Sequence, residues 1–564
     1  MRETPWPERL SVMSTRTPVA GESFEPAARP GKSLAAPGAR AGMAMSVATF
    51  AMAAASAIQA VLYLGRFGTN ARTDGFFVAF ALYSTFGVFS QSLRLTSVGL
   101  LVEPGARLSA GRFAAVLGAI ALPVLLLTGP LAGPLSQLIA PGLKASGRHV
   151  TAMALPVLGV AMVLQLWAAG GATVLAIRGR FGTIAGAYMG GAAAGLSTFL
   201  ALMDTAGVQT LGWSMGAMSV VTCLWMLAGV KASGGLGIWP AEVAQRPVEP
   251  WLEHKATKAH AYAPMAAAGS QRWSARPAAL LRDCGVVLGR TAIYLAFNLL
   301  FVITLAFVSS SEAGSTTVLS YAYLFASYLV AGTGMALGMS SIPDLTRQAR
   351  AQRRALVAAT VPRGFRYAML LVAPALAGLI VAGAPLIHAL LPKSLSTQEV
   401  HTLRSFAALL APWTVAALLV NFLLPVLLAF GRTRLLGALA PTLLVAHVAA
   451  TATGTALFGV DGAVGAMWVA PACLAATLLV SGAGRAEASA VLRRLSGDGA
   501  RFVALAMLAF GAGWVAGSAL GADLAQATVA GAVGCGVYAA GLLVVARRQV
   551  QVLVSAVVAR PAPA

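Results

Sequence analysis

The sequence predicts an all-α polytopic membrane protein of about fourteen transmembrane helices, arranged as two six-helix lobes plus two C-terminal helices. Three observations predict it. Hydrophobic residues make up 58% of the 564 residues and charged residues only 10%, outside the range of soluble domains. Apolar blocks of about 20 residues or more, the length that crosses a bilayer, recur along the chain. The 40 Lys and Arg residues collect in every second loop: 32 lie in the two tails and the even-numbered loops, 6 in odd-numbered loops, and 2 (Arg94 and Arg290) inside apolar blocks. Cytoplasmic loops retain Lys and Arg far more readily than exported ones, so this asymmetry predicts both the span number and cytoplasmic N- and C-termini.

The first forty residues are rich in Pro, Ala, Ser and charge and show no helical period, so residues 1–42 read as a disordered cytoplasmic tail. The Ala-rich block from Gly42 to Leu64 offers small-residue cleavage sites. It is too long and too far from the N-terminus for a signal peptide, and its removal would invert the charge rule downstream, so it reads as the uncleaved first span. The spans are expected at 43–64, 74–101, 113–139, 150–177, 182–203, 210–230, 284–309, 316–341, 366–390, 405–430, 435–458, 462–481, 502–520 and 526–546. The third carries Pro123, Pro130 and Pro134, so a kink or interruption is expected there, with neighbouring helices or a water-filled cavity satisfying the freed backbone.

One long polar segment, Lys231 to Arg282, separates spans six and seven and contains seven Lys/Arg with Pro240, Pro247, Pro250 and Pro264. It divides an N-lobe (43–230) from a C-lobe (283–481). The segment itself, 231–282, reads as a cytoplasmic linker, either unstructured or with an amphipathic stretch on the lipid surface. Residues 482–548 hold the two extra helices, and 549–564 form a cytoplasmic tail. The lobes look like a weak repeat in one orientation: Arg178-Gly-Arg180 is matched six spans later by Arg432-Thr-Arg434, and Val102–Arg107 (VEPGAR) by Ile342–Arg347 (IPDLTR). An even repeat of six spans relates its copies by an axis along the membrane normal, the plan of transporters whose halves face a central cleft.

Composition also excludes functions. The net charge of +22 does not mark a nucleic-acid binder, because the basic residues sit in short loops between spans and form no dense stripe. There is no phosphate-cradling glycine loop with its lysine, no zinc-ligand cluster and no nucleophile elbow, so neither an enzyme, a cofactor nor a metal centre is expected. Cys223, Cys284, Cys473 and Cys535 fall in or beside apolar blocks without metal-ligand spacing and read as buried small hydrophobes. None of the 18 Asp and Glu residues lies in the middle of an expected span, whereas proton- or cation-coupled exchangers commonly carry an intramembrane carboxylate.

The spans do carry arginine and neutral polar groups in stripes. Arg290, Tyr294 and Asn298 recur every four residues on span seven, hence on nearly one face. Ser84, Gly87, Gln91 and Arg94 follow at spacings of three or four on span two, and Thr49, Ser56, Gln59 and Tyr63 align similarly on span one. Arg at the bilayer centre costs about 2.5–3.5 kcal/mol on insertion scales, so it faces a cavity or a partner unless it snorkels to the interface. In a cavity its guanidinium offers a bidentate fork for phosphate. Neutral stripes serve equally as hydrogen-bonding glue between helices. Asp74 is either a helix N-cap or a ligand.

The stretch Phe67–Phe80 (FGTNARTDGFFVAF) resembles the end of span one and start of span two in the MviN/MurJ lipid II flippases, which read approximately FGAGxxTDAFFVAF. Tyr321-Ala322, Ala336-Leu337-Gly338 and Pro343 are similar to the span-eight pattern of that family. The resemblance implies a MurJ/MATE-like fold in the bacterial cytoplasmic membrane. It also implies transport of a polyprenyl-pyrophosphate-linked saccharide from inner to outer leaflet, with membrane lipids and cell-wall synthesis proteins as partners. Asp74 carries over. Where the family has an Arg-Asp pair in span one, this chain reads Gln59-Ala60. The paired arginines of span two become Gly87-Val88, the Asp-Arg of span eight becomes Tyr323-Leu324, and the Glu-Gly-Ala stretch becomes Ser92-Leu93-Arg94. Gln59, Asp74, Gln91, Arg94, Arg290, Tyr294, Asn298 and Tyr321 are therefore the candidate substrate-binding residues, with Arg94 and Arg290 standing in for the missing cations. Three rivals remain: a flippase for another lipid-linked polysaccharide unit, a transport-inactive scaffold in cell-wall synthesis, and a MATE-like drug or cation exchanger.

Overall fold

A computed structural model describes residues 36–102, 108–235, 277–331, 333, 350–391 and 395–547. All regular structure among them is helical. Among the described residues, those from Ala44 onward form one compact unit.

The first half comprises α1 (Ala36–Phe67), α2 (Ala71–Val102), α3 (Ala110–Thr128), α4 (Ala132–Ile139), α5 (Ala145–Ile177), α6 (Phe181–Leu202) and α7 (Thr210–Ala232). The second comprises α8 (Pro277–Val308), α9 (Ser315–Val330), α10 (Arg350–Leu390), α11 (Thr397–Ala429), α12 (Thr433–Gly465), α13 (Val469–Ala483), α14 (Arg485–Ser518) and α15 (Asp523–Val545). Each expected span overlaps one or more of these elements, the later part of the eighth (316–341) lying mostly outside the described residues. Eleven helical segments among the described residues are long and apolar enough to cross a membrane. One of them, Thr433–Ala483, contains two expected spans folded back at Gly459, whose φ of 62° and ψ of −140° break the helix. Gly454 and Gly462 then face each other across that hairpin so closely that a Cβ on Gly454 would stand 2.3 Å from the Gly462 carbonyl oxygen.

The third span is interrupted as its prolines predict. α3 ends at Thr128, Gly129 leaves the helical region (φ −92°, ψ −100°), and α4 restarts at Ala132. Gly159 of α5 lies against the break, where a Cβ would meet Thr128 Oγ1 at 1.9 Å. The expected linker is shorter than read, since α7 runs to Ala232 and α8 begins at Pro277; residues 236–276 lie outside the described set, as do most of the N-terminal tail and both the VEPGAR and IPDLTR signatures. Cys223 is buried, whereas Cys473 and Cys535 are exposed on helix surfaces, a correction that a bilayer makes harmless because lipid is as apolar as the core.

One of the two matched turns has the same geometry in both halves, in a shifted register. Gly179 (φ 71°) ends α5 and Gly431 (φ 72°) ends α11. In both, the next residue, Arg180 or Arg432, donates its N–H back to the helix, to Leu175 O (2.9 Å) or Leu427 O (3.1 Å). The counterpart of Arg180 is thus Arg432, two residues earlier than sequence matching placed it.

Packing builds each half around a long central helix. α5 holds α2, α3, α4 and α7, and α6 lies on α7. Gly75 and Gly147 bring α2 and α5 into backbone contact, and Thr151 Oγ1 donates to Gly75 O at 2.7 Å. In the second half α8 packs on α12, α9 on α11, and α14 and α15 on α10, where Arg366 pairs with Asp498. The halves meet along α2 and α8. His447, fully buried mid-way along α12, approaches Leu300 O (2.9 Å) and Thr304 Oγ1 (3.0 Å) of α8 through Nε2 and staples the two helices. His447→Leu should loosen that pair, lowering the thermal unfolding midpoint in detergent by the equivalent of about 0.6–1.7 kcal/mol. An unchanged midpoint would make the contact incidental.

Candidate functional site

The α1–α2 turn carries a cluster of side-chain hydrogen bonds between the halves. Asn70 caps α2 by accepting from Arg72 N (2.9 Å) and Thr73 N (3.2 Å), while Thr73 Oγ1 accepts from Asn70 N (2.9 Å). Asp74 is therefore not the cap of its own helix. Its side chain, 3% exposed, reaches the start of α9, where Gly314 N donates to Oδ2 (2.6 Å) and Thr317 N and Oγ1 donate to Oδ1 (2.8 and 2.7 Å). Gly314 holds the N-cap position of α9 with φ 99° and has no side chain to satisfy these donors. Asp74 supplies the missing cap from the other half of the molecule, and a carboxylate there is favoured by the helix dipole.

Other contacts surround this one. Thr69 hydrogen-bonds Glu399, which also completes the capping box of α11 by accepting from Ser396 N at 2.7 Å. Tyr321 OH donates to Ala60 O (2.9 Å), and its ring lies 5.1 Å edge-on from Phe77. Gly142 N donates to Ser309 Oγ (3.3 Å), and a Cβ on Gly142 would stand 2.4 Å from Ser310 Cα. Leu64, Ile387, Leu391, Leu395 and Val400 form an apolar cluster at the same end. Four segments of chain close this end of the molecule against one another.

Away from the closure the α2 face loosens. Residues 77, 84 and 91 share one face, being seven apart. Phe77 is buried against Tyr321, Ser84 is half-buried, and Gln91 is exposed. Gly87 faces open space, with nothing within 4 Å of where a Cβ would stand. On α8, Asn298 is half-buried and its Nδ2 donates to Tyr294 O (2.8 Å), while Thr85 Oγ1 of α2 donates to Asn298 O (3.4 Å). Tyr294 is buried, and its hydroxyl has no partner among the described residues.

The Thr85–Asn298 contact sets the depth of the two arginines. Arg94 lies nine residues and Arg290 eight residues beyond it, both away from the closure. At 1.5 Å per residue they stand at matching depth, about 12–14 Å past the contact. Both are half-buried, and neither enters an ion pair among the described residues. Arg112, paired with buried Asp283, joins α3 to α8 farther along the same helices.

The eight candidates thus divide into two levels. Asp74 and Tyr321 belong to the closure, with Gln59 buried one helical turn before Tyr63. Gln91, Arg94 and Arg290 lie on the open level, and Tyr294 and Asn298 between. Thr69, Thr317, Gly314 and Glu399 were not singled out from sequence, although the Ser396-x-x-Glu399 capping signature and an uncapped Gly314 before an apolar run were visible. Among the described residues no three His, Cys, Asp or Glu side chains come together to hold a metal.

No protein-family model matches the chain, and no curated protein does. Solved structures do. The lipid II flippase MurJ in an inward closed conformation is similar with a TM-score of 0.65 at 12% identity, over 90% of this chain and all of that one. An inward-facing multidrug resistance MATE transporter of the MOP superfamily gives 0.55 at 13% identity, over 79% of this chain and 99% of that one. A MOP superfamily transporter from Pyrococcus furiosus, described by a reverse polarity of its binding pocket, gives 0.52 at 16% identity, over 80% and 96%. At these identities the likeness establishes the fold, and the fold is that of MurJ and the MATE transporters.

Proposed function

Proceeding from a MurJ/MATE-type fold, we propose that this chain is a membrane transporter of the MOP type that moves a polyprenyl-pyrophosphate-linked saccharide from the inner to the outer leaflet of the bacterial cytoplasmic membrane. The observation that carries the reading is the pairing of one closed end with two arginines at matching depth beyond it. A guanidinium half-buried in a span, with no carboxylate partner among the described residues, is an unspent phosphate ligand. Arg94 and Arg290 would contact the pyrophosphate, Gln91 and Asn298 the sugar, and the lipid tail would stay in the bilayer. With both termini cytoplasmic, the Asp74 closure faces outward and its opening would be the release step of alternating access. Cell-wall synthesis proteins are the partners such a substrate implies.

Leaflet-resolved labelling of lipid-linked precursors, in cells with and without this chain, tests the reading. Depletion should leave one polyprenyl glycan on the inner leaflet, and unchanged distribution of every glycan tested would refute transport. Arg94→Ala with Arg290→Ala should reduce transfer at least about 10-fold, the equivalent of one charged phosphate contact, with expression and helicity retained. If the double variant rescues depletion fully, the cationic role is wrong. A transport-inactive scaffold is the second reading, favoured by Gln59-Ala60 and Gly87-Val88 standing where the flippases carry charge. It predicts rescue by the double variant and by a variant locked in the closed state.

A further inference from the structure

A groove lies on the far side of the first half. α6 and α7 pack on each other and on α5, one helix removed from the α2–α8 seam. Along their outer surface runs a groove of about 620 Å³ whose lining includes Arg180, Thr183, Val221, Leu224, Trp225 and Ala228. Its wall is built by glycine. Gly186 and Gly190 let the Trp225 indole lie on α6, where Cβ atoms would stand 3.4 and 3.0 Å from the ring. Trp225 and Leu224 remain 47% and 62% exposed, so the groove opens to the bilayer.

Its rim is basic and held in place. Arg178 donates to the C-terminal carbonyls of α7, Ser233 O (2.9 Å), Gly235 O (2.7 Å) and Val230 O (3.3 Å), and is thereby used up. Arg180, two residues on, is exposed and enters no ion pair among the described residues. Among the described residues no carboxylate lines the groove. From Ala232 at the rim to Val221 the groove follows eleven residues of α7, about 16 Å. That is the depth of one leaflet, half of a hydrocarbon core of about 30 Å.

We propose that this groove is a binding site for one anionic phospholipid, its phosphate on Arg180 and one acyl chain along Val221, Leu224, Trp225 and Ala228. Charge selects the headgroup: a guanidinium at the rim, with no acid among the described lining residues to balance it, favours a net-negative lipid over a zwitterionic one. Length selects the rest of the molecule, since a chain seated at Val221 leaves its phosphate at the rim. The site rests on the chain lying in a bilayer and is independent of what it transports.

Fluorescence of the reconstituted full-length protein tests it, because Trp225 sits in the groove. The Trp225 signal is the difference between wild type and Trp225→Phe. Brominated phosphatidylglycerol should quench it at a mole fraction about fivefold lower than brominated phosphatidylcholine does. Arg180→Gln should equalise the two lipids, and Ala228→Phe, which fills the groove, should weaken quenching by both. Equal quenching by the two lipids in the wild type would mean ordinary annular lipid and overturn the proposal. So would a preference that survives Arg180→Gln. Each variant folds well enough for the test if it stays monodisperse with unchanged helicity.

Discussion

Asp74→Asn is expected to open the closed end of the molecule. The carboxylate accepts three hydrogen bonds from Gly314 and Thr317 in a buried setting. An amide can accept on one atom only, and its NH₂ would face an N–H donor across 2.6–2.8 Å. Hydrogen bonds to charged groups contribute about 1.5–3 kcal/mol each, and donors left without an acceptor cost their desolvation. Because partial rearrangement recovers some of this, a net loss of about 2–4 kcal/mol for the closed state is expected, a shift of roughly 30- to 700-fold in its equilibrium. The readout is a cysteine pair, Gly65→Cys with Leu391→Cys, since a Cβ on Gly65 would lie 3.6 Å from Leu391 Cδ2. A short bifunctional thiol reagent should join the pair readily in the parent and far more slowly with Asp74→Asn. Thr317→Val removes one of the three donors and should shift the rate in the same direction by less. Equal rates in all three would show that Asp74 does not hold the closure.

The second large effect is arrest by the same cross-link. If the closure must part once per transport cycle, joining residues 65 and 391 should abolish transfer to the outer leaflet, and cleaving a disulfide-containing linker should restore it. The two positions lie on α1 and at the end of α10, with no covalent path shorter than most of the chain between them, so the link ties the halves and not a local loop. Full transport by a quantitatively cross-linked protein would exclude alternating access through this end. The comparison also separates the proposed readings, because a scaffold that never cycles would tolerate the lock, whereas a transporter would not.

These two experiments address features that differ in how far the sequence exposed them. The interruption of the third span was legible because proline removes a backbone donor wherever it sits, and Pro130 and Pro134 were in view. The hairpin at Gly459 lay between two apolar blocks that already read as separate spans. The shared turn was legible only approximately. Arg178-Gly-Arg180 was matched to the wrong arginine because sequence spacing cannot tell which residue follows the left-handed glycine; Gly179 and Gly431 decide that register through their φ angles. Asp74 was legible as a capping residue, but as the cap of the wrong helix. Its partner lies about 240 residues away, beyond the reach of any local pattern.

By itself the sequence determined that this chain is a bundle of membrane-crossing helices, roughly where along the chain each lies, and which blocks carry arginine. Bilayer thickness and the cost of unpaired backbone groups dictate those properties segment by segment, so they are written locally. Only the tertiary structure decided what the polar groups do. It turned Asp74 and Tyr321 into fastenings between the halves and set Arg94 and Arg290 at one depth. It also left Arg180 free while Arg178 was consumed. A hydrogen bond between distant helices depends on the rotation of each about its axis, and packing alone sets that angle.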